Sequence, residues 1–355
     1  MIISDEQLAK VLPLIEKATF VSLDTEADSF YSYPEKLCLI QLSIPGKDLI
    51  IDPFENLNLA PLFHILKSKK LILHGGDYDL RLLYKNYQFL PEKIFDTMFA
   101  ARILGYKEVG LGSLVKQHIG ITLDKSHQRS NWTARPINPK MIDYAMKDTR
   151  FLKPLETVMS EKLKKINRYE WLQEMCDRLI EKIKNNHSIN ETEPWRIPGS
   201  AQLSPLALTV LRELWHWREK TAVEENRPPF FILKHKILID IAIAATNGLK
   251  IKPLIPKNLE TKIGEIESAV KCGLNTPANK RPPQRLTQKP RLSQEQLVKL
   301  NKILKARNRI ADQLKVERSL IATQAEMLEI AHNPSNARSI LMKWQYELLK
   351  TAIES

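Results

Sequence analysis

Phe20-Val21-Ser22-Leu23-Asp24-Thr25-Glu26 carries the first decision about fold. The run is rich in strand-forming residues, and side chains on a strand alternate faces, so Asp24 and Glu26 project to the same side. A second apolar run, Leu71-Ile72-Leu73-His74, reads as a buried strand. Gly75-Gly76 then makes a turn, and from Asp77 to Asn86 the pattern is helical, with Leu80, Leu83 and Tyr84 on one face. That places Asp79 in a first helical turn. Further along, Asn138 is a helix cap and Pro139 the first helical residue. Tyr144 and Asp148 then lie one turn apart on one face, roughly 6 Å along the axis. Strands alternating with helices make an α/β domain, and each acidic group sits where its element would point it at a common centre.

Four carboxylates drawn to one centre would repel unless cations neutralised them. Oxygen ligands without a neighbouring Cys or His pair select Mg²⁺ or Mn²⁺ over zinc. Two such ions, roughly 4 Å apart, could clamp the attacking and leaving oxygens of a phosphoryl displacement. Asp24, Glu26, Asp79 and Asp148 are the candidate ligands. A tyrosine, with an unperturbed pKa of about 10, is a poor base at neutral pH. Tyr144 is therefore assigned to orienting the attacking water.

Asp-x-Glu on a strand, Asp at a strand-to-helix turn and Tyr-x-x-x-Asp on a helix together resemble the DEDDy group of 3′-to-5′ exonucleases. Leu123-Asp124-Lys125-Ser126, Arg129-Ser130-Asn131-Trp132 and Ala134-Arg135-Pro136 narrow the resemblance to ribonuclease D. It covers roughly residues 18 to 165, with a further match in the C-terminal half. It implies a ribonuclease H-like exonuclease domain with a mixed central sheet, two divalent metal ions, and catalytic residues Asp24, Glu26, Asp79, Tyr144 and Asp148. It also implies hydrolytic removal of nucleotides from RNA 3′ ends during tRNA maturation, with 3′-extended tRNA precursors as partners. A DNA exonuclease is the rival enzyme, because a metal cage does not itself read the 2′-hydroxyl. A catalytically silent RNA-binding scaffold is the rival from another class.

Neighbouring residues receive plainer readings. Asp28 lies past the strand end, and Asp77 and Asp96 cap helices. His74 is a structural residue of its strand end, and Trp132 anchors its loop. Lys125, Arg129 and Arg135 are candidate phosphate contacts. Asn131 and Met141 depart from the family pattern, which often has Asp and Gln there, and neither is a ligand position.

The chain has 355 residues, 43% of them hydrophobic, enough for more than one core. No apolar run is long enough to cross a bilayer, and the first residues lack the regions of a secretory signal. Cys38, Cys176 and Cys272 are widely separated and fit a reducing cytoplasm. The formal net charge is +13. Residues 1 to 165 hold 23 Lys and Arg against 20 Asp and Glu, while the rest hold 31 against 21. The cationic excess therefore sits mainly outside the catalytic half, as a polyanion-binding half would have it.

A helical stretch from Arg168 to Asn185 and a polar linker from Asn186 to Thr192 close the nuclease domain, assigned to residues 1–190. Leu206, Leu208, Leu211, Leu214 and Trp215 then recur at helical spacing, and Trp217-Arg218-Glu219-Lys220 with Asn226-Arg227-Pro228-Pro229 resembles the HRDC domain. That module is assigned to 200–275, with Trp215 in its core. Residues 276–291, with four prolines, five basic residues and no acid, read as an exposed linker. Residues 292–355 complete the division as a divergent, all-helical HRDC-like module, with Leu297, Leu300, Leu304 and Ile310 as candidate core.

Overall fold

The structure, a computed structural model, describes residues 1–28, 31–124, 126–127, 130–186, 193–284 and 292–354. Its sheet has five strands, β1 (Val21–Ala27), β2 (Leu37–Ile44), β3 (Lys47–Ile51), β4 (Lys70–Leu73) and β5 (Lys93–Asp96). They lie in the order β3-β2-β1-β4-β5. β1 pairs antiparallel with β2 and parallel with β4, so the sheet is mixed, as expected. β1 is thus the central strand, and its register sets Asp24 opposite Gln41 and Glu26 opposite Leu39. All eight residues of β2 are buried, which accounts for its near-continuous apolar sequence.

Two turns differ in detail from their sequence reading. Gly75 adopts φ 66°, a left-handed conformation that glycine takes without steric cost. The helix after it therefore starts early, with Gly76 as its cap and Asp77 as its first residue. Asp77 is not a cap. Its carboxylate pairs with Arg81 one turn on, at 2.8 Å. The Pro139–Arg150 helix begins as read, with the Asn138 side chain accepting from Lys140 N at 2.9 Å. Asp28 lies just beyond β1 and is buried.

Packing divides the chain into two bodies, and not along the four-part division. The first comprises residues 1–27, 37–185 and 291–355. Its C-terminal helices carry Ile303, Leu320, Ile330 and Leu349, which are buried in the same core as Leu23, Leu71 and Leu172. The physical reason is area. Helices of this length expose more apolar surface than a short module can cover by itself. The helix Tyr169–Asn186 supplies the missing face, where Trp171 stacks on Trp344 with ring centres 4.3 Å apart. Gly105 lies against the Lys315 carbonyl so closely that a Cβ there would come within 2.1 Å of it.

The second body comprises residues 28–36 and 186–290. Helices Pro205–Glu224, His235–Thr246 and Ile263–Leu274 surround Leu208, Leu211, Leu238 and Ile266, and Trp215, expected in that core, packs half-buried against it. Tyr33 belongs here. Its hydroxyl donates to Glu219, and its backbone N–H donates to Asn226 at 3.1 Å. Residues 187–192 and 285–291, parts of the two expected linkers, lie outside the described residues. Among the described residues no helix is long and apolar enough to cross a membrane.

If the C-terminal helices complete the first core, Trp344→Ala should lower the unfolding free energy of the full chain by about 3 kcal/mol. Denaturant unfolding measures it. A loss under about 0.5 kcal/mol would mean that these helices are a surface appendage.

Candidate active site

Three backbone elements deliver the acidic residues. β1 directs Asp24 and Glu26 to one face, and Thr25, between them, turns the other way. The Thr25 N–H and hydroxyl both donate to one carboxylate oxygen of Asp79, at 3.1 and 2.5 Å. Asp79 sits in the first turn of the helix Asp77–Tyr87, so this pair ties the helix start to the strand.

The turn beneath is held by Asp96, which is fully buried. Its two oxygens accept four backbone N–H groups: Gly75 at 3.1 Å, Gly76 at 2.9 Å, Met98 at 2.8 Å and Phe99 at 3.1 Å. Asp96 is thus the cap of its own helix, as read, and also the clamp of the glycine turn. Its second role left no mark in the local sequence.

The third element is the helix Pro139–Arg150. It is hooked to β2 by the Thr149 and Ser43 hydroxyls, 2.7 Å apart, and to β3 by the Arg150–Asp48 ion pair at 2.7 Å. Trp132, buried among Ile50, Ile137 and Tyr144, packs beneath it, and Met141 borders the same cluster. Asn131 accepts from Thr133 N at 2.9 Å in a local turn.

These supports place Asp24, Glu26, Tyr144 and Asp148 on one cavity of about 360 Å³. Asp79 stands behind this wall, 7% exposed, on Thr25. Other lining residues have no site role in the sequence reading, which has His74 as structural. His74 and Asp124 are among them, as is the start of the helix Leu111–Ile119, which has no side-chain cap and offers free backbone N–H groups. An adjoining cavity shares Tyr144 and Asp148 and adds Lys140, whose only sequence signal is its place one turn before Tyr144.

The carboxylates sense one another strongly. Burial, then Asp79, Asp148 and Glu26, push Asp24 well above the usual carboxylate range. Burial, then Asp148 and Asp79, push Glu26 up to about 9. Asp79 rises to about 6, chiefly by burial and despite its bonds to Thr25. Asp148 also rises to about 6 by burial, against hydrogen bonding from Tyr144. Burial and the charges of Asp148, Glu26 and Asp24 raise the Tyr144 phenol as well, so it stays protonated and serves as a donor.

A set of buried oxygen donors that cannot all ionise side by side fits hard divalent cations. Among the described residues no three His, Cys, Asp or Glu groups form a ready coordination shell. The fit therefore rests on donor chemistry and shared charge, not on preset ligand geometry.

Comparison with known proteins gives a consistent pattern. A family profile for a 3′–5′ exonuclease domain matches residues 1–164, and one for the HRDC domain matches residues 207–247. Ribonuclease D of Desulfotalea psychrophila is 30% identical over 77% of this chain and 72% of its own length. Ribonuclease D of Sphingobium indicum is 29% identical over 98% of this chain and 91% of its own. The match to ribonuclease D of Bartonella henselae, 30% identical, spans 68% of this chain but only 60% of that protein. Among solved structures, Escherichia coli RNase D, described as an exoribonuclease involved in structured RNA processing, aligns with a TM-score of 0.80 at 22% identity. That alignment covers 100% of this chain and 97% of the other.

Of the three expected phosphate contacts, Lys125 and Arg129 lie outside the described residues. Arg135 is described, and its structural setting corrects the expectation. Its guanidinium gives Nε–H and one N–H to Asp52 at 2.6 and 2.7 Å, and another N–H to the Cys38 carbonyl at 3.1 Å. The last two go to the carbonyls of Trp132, at 2.7 Å, and Ala134, at 3.0 Å. All five donors are spent inside the protein, and Asp52 is fully buried. Arg135→Ala should therefore cost about 3 kcal/mol of stability by stranding that carboxylate. It should leave the salt dependence of RNA binding at the wild-type slope. A slope reduced by about 0.7 would restore Arg135 to the phosphate contacts.

Proposed function

The chain belongs to the ribonuclease D family of 3′–5′ exoribonucleases, and from that premise we propose that it trims nucleotides from the 3′ ends of tRNA precursors in the cytoplasm. Asp24, Glu26, Asp79 and Asp148 hold two divalent metal ions, Mg²⁺ or Mn²⁺, and Tyr144 orients the attacking water. The observation that carries this reading is the single cavity shared by Asp24, Glu26, Asp148 and Tyr144, with Asp79 electrostatically joined to it.

Exonucleases of this type generally use divalent metals. When bound, the ions polarise the phosphoryl group and stabilise the oxygens that attack and leave. The protein's own contribution is position. β1 and the two flanking helices set the carboxylates in place, and the Thr25 N–H and hydroxyl tie Asp79 to the strand. The raised phenol pKa keeps the Tyr144 proton on its oxygen, so the hydroxyl fixes a water without removing a proton from it. The free N–H groups at the start of the Leu111–Ile119 helix face the same cavity and suit a phosphate oxygen. Water adds to phosphorus, the 3′ oxygen of the preceding nucleotide leaves, and a nucleoside 5′-monophosphate is released. The buried thiol of Cys176, which forms no disulfide, suits a reducing compartment.

The reading is tested with the full chain, a 3′-labelled single-stranded RNA and a 3′-extended tRNA, in Mg²⁺, Mn²⁺ or EDTA. Single nucleotides should be released with either metal and not with EDTA. Endonucleolytic fragments, or preferred release from matched DNA, would overturn it. Alanine at Asp24, Glu26, Asp79 or Asp148 should each reduce turnover by roughly a hundredfold or more. Asp28→Ala and Asp77→Ala should retain most of it. Tyr144→Phe removes only the hydroxyl and should lower kcat with little change in RNA affinity. Wild-type kcat in that variant would leave Tyr144 a packing residue.

A further inference from the structure

His74 directly follows β4 and lines the active-site cavity, and its tautomer follows from its neighbours. The Thr97 hydroxyl is fully buried, 3.0 Å from the Leu73 carbonyl oxygen, which can only accept. Its one proton is committed there. His74 Nδ1 lies 2.8 Å from the same Thr97 oxygen, so Nδ1 must carry the hydrogen and donate it. In a neutral imidazole the lone pair then resides on Nε2. Burial lowers the His74 pKa, outweighing the opposite pull of Asp96, in agreement with a neutral ring. Nε2 is not among the buried side-chain atoms left without a partner, and His74 makes no other hydrogen bond. It is an open, uncharged acceptor in the wall of a site otherwise furnished with carboxylates.

We propose that His74 Nε2 accepts a hydrogen bond from the 2′-hydroxyl of the 3′-terminal ribose, so that the pair His74–Thr97 reads RNA against DNA. The proposal rests on the exoribonuclease reading above and adds to it a means of sugar choice. Ligand carboxylates would have their lone pairs engaged by cations, so they are poorly placed to read a hydroxyl. A neutral nitrogen fixed by a buried threonine has no such conflict. A site with a built-in acceptor discriminates against a substrate lacking the donor, because the acceptor is then desolvated without a partner.

The test compares first-nucleotide release by the full chain, with Mg²⁺, from RNAs identical except for a ribose, 2′-deoxyribose or 2′-O-methyl ribose at the 3′ end. Wild type should favour the ribose end over both others by roughly tenfold in kcat/KM. In His74→Ala and Thr97→Val the ribose-to-deoxyribose ratio should fall towards one, since Thr97→Val keeps the shape and removes the atom that sets the tautomer. The ratio is taken within each protein, so partial misfolding of a variant does not move it. Equal loss on all three ends, or a wild type indifferent to the terminal sugar, would overturn the proposal. A wild type that releases nothing from any of the three would instead overturn the exonuclease reading beneath it.

Discussion

One buried carboxylate, Asp96, determines whether the site can exist. It accepts four backbone N–H groups from two segments that are also joined by the parallel β4–β5 pairing and by the contacts of Thr97 with Leu73 and His74. Each of those donors lies in a turn or first helical turn, where no backbone acceptor is at hand. An apolar residue in its place would leave several of them unsatisfied in the interior, at about 1 to 3 kcal/mol each. With the clamp in place, the left-handed Gly75 turn has one geometry. The next helix starts at a set point, and Asp79 meets Thr25. Thr25 is the residue between Asp24 and Glu26, so the clamp on one turn is passed to the strand that carries half of the acidic site.

The same arrangement explains why so much structural hydrogen bonding surrounds so few reacting groups. The interior holds Asp24, Glu26, Asp79 and Asp148 where burial raises all four pKa values and repulsion from the neighbouring carboxylates raises those of Asp24 and Glu26 further. Without cations these groups oppose folding. The opposition is offset nearby by contacts that take no part in chemistry: Asp96 on four N–H groups, Arg135 on Asp52, and Thr149 on Ser43. Rigidity and charge concentration are therefore linked. A looser turn would let the carboxylates swing apart to relieve their repulsion, and the shared cavity would lose its character.

The legible parts of the sequence were those where a local rule sufficed. Alternation in β1 set Asp24 and Glu26 on one face, helical spacing set Tyr144 and Asp148 on another, and Asn138-Pro139 marked the start of their helix. The assembled sheet has the mixed order expected of an exonuclease domain, and the HRDC profile falls within the helical second body. What escaped was decided by distant partners. Arg135 has the look of a phosphate contact in a basic loop, but Asp52, 83 residues away, claims it. Nothing in residues 292–355 says that Trp344 will stack on Trp171, because an amphipathic helix shows that it has a buried face and not whose core covers it. Asp77 looks like a cap in the sequence, but the left-handed geometry of Gly75 shifts the helix start by one residue and makes Asp77 the first helical residue.

His74 shows how a structural role and a chemical one can share a residue. Its ring packs at a strand end, as its position in an apolar run suggests, and Thr97 holds Nδ1 as any buried polar atom must be held. Satisfying one nitrogen, however, decides the state of the other. A single proton on the Thr97 hydroxyl, drawn to the Leu73 carbonyl, makes Nδ1 the donor and Nε2 the acceptor. The backbone of β4 thereby sets the hydrogen-bonding character of the cavity wall. A side chain whose burial looks like ordinary packing thus presents the active site with one defined, uncharged acceptor. No reading of residue types alone could have assigned that, because both tautomers share one letter.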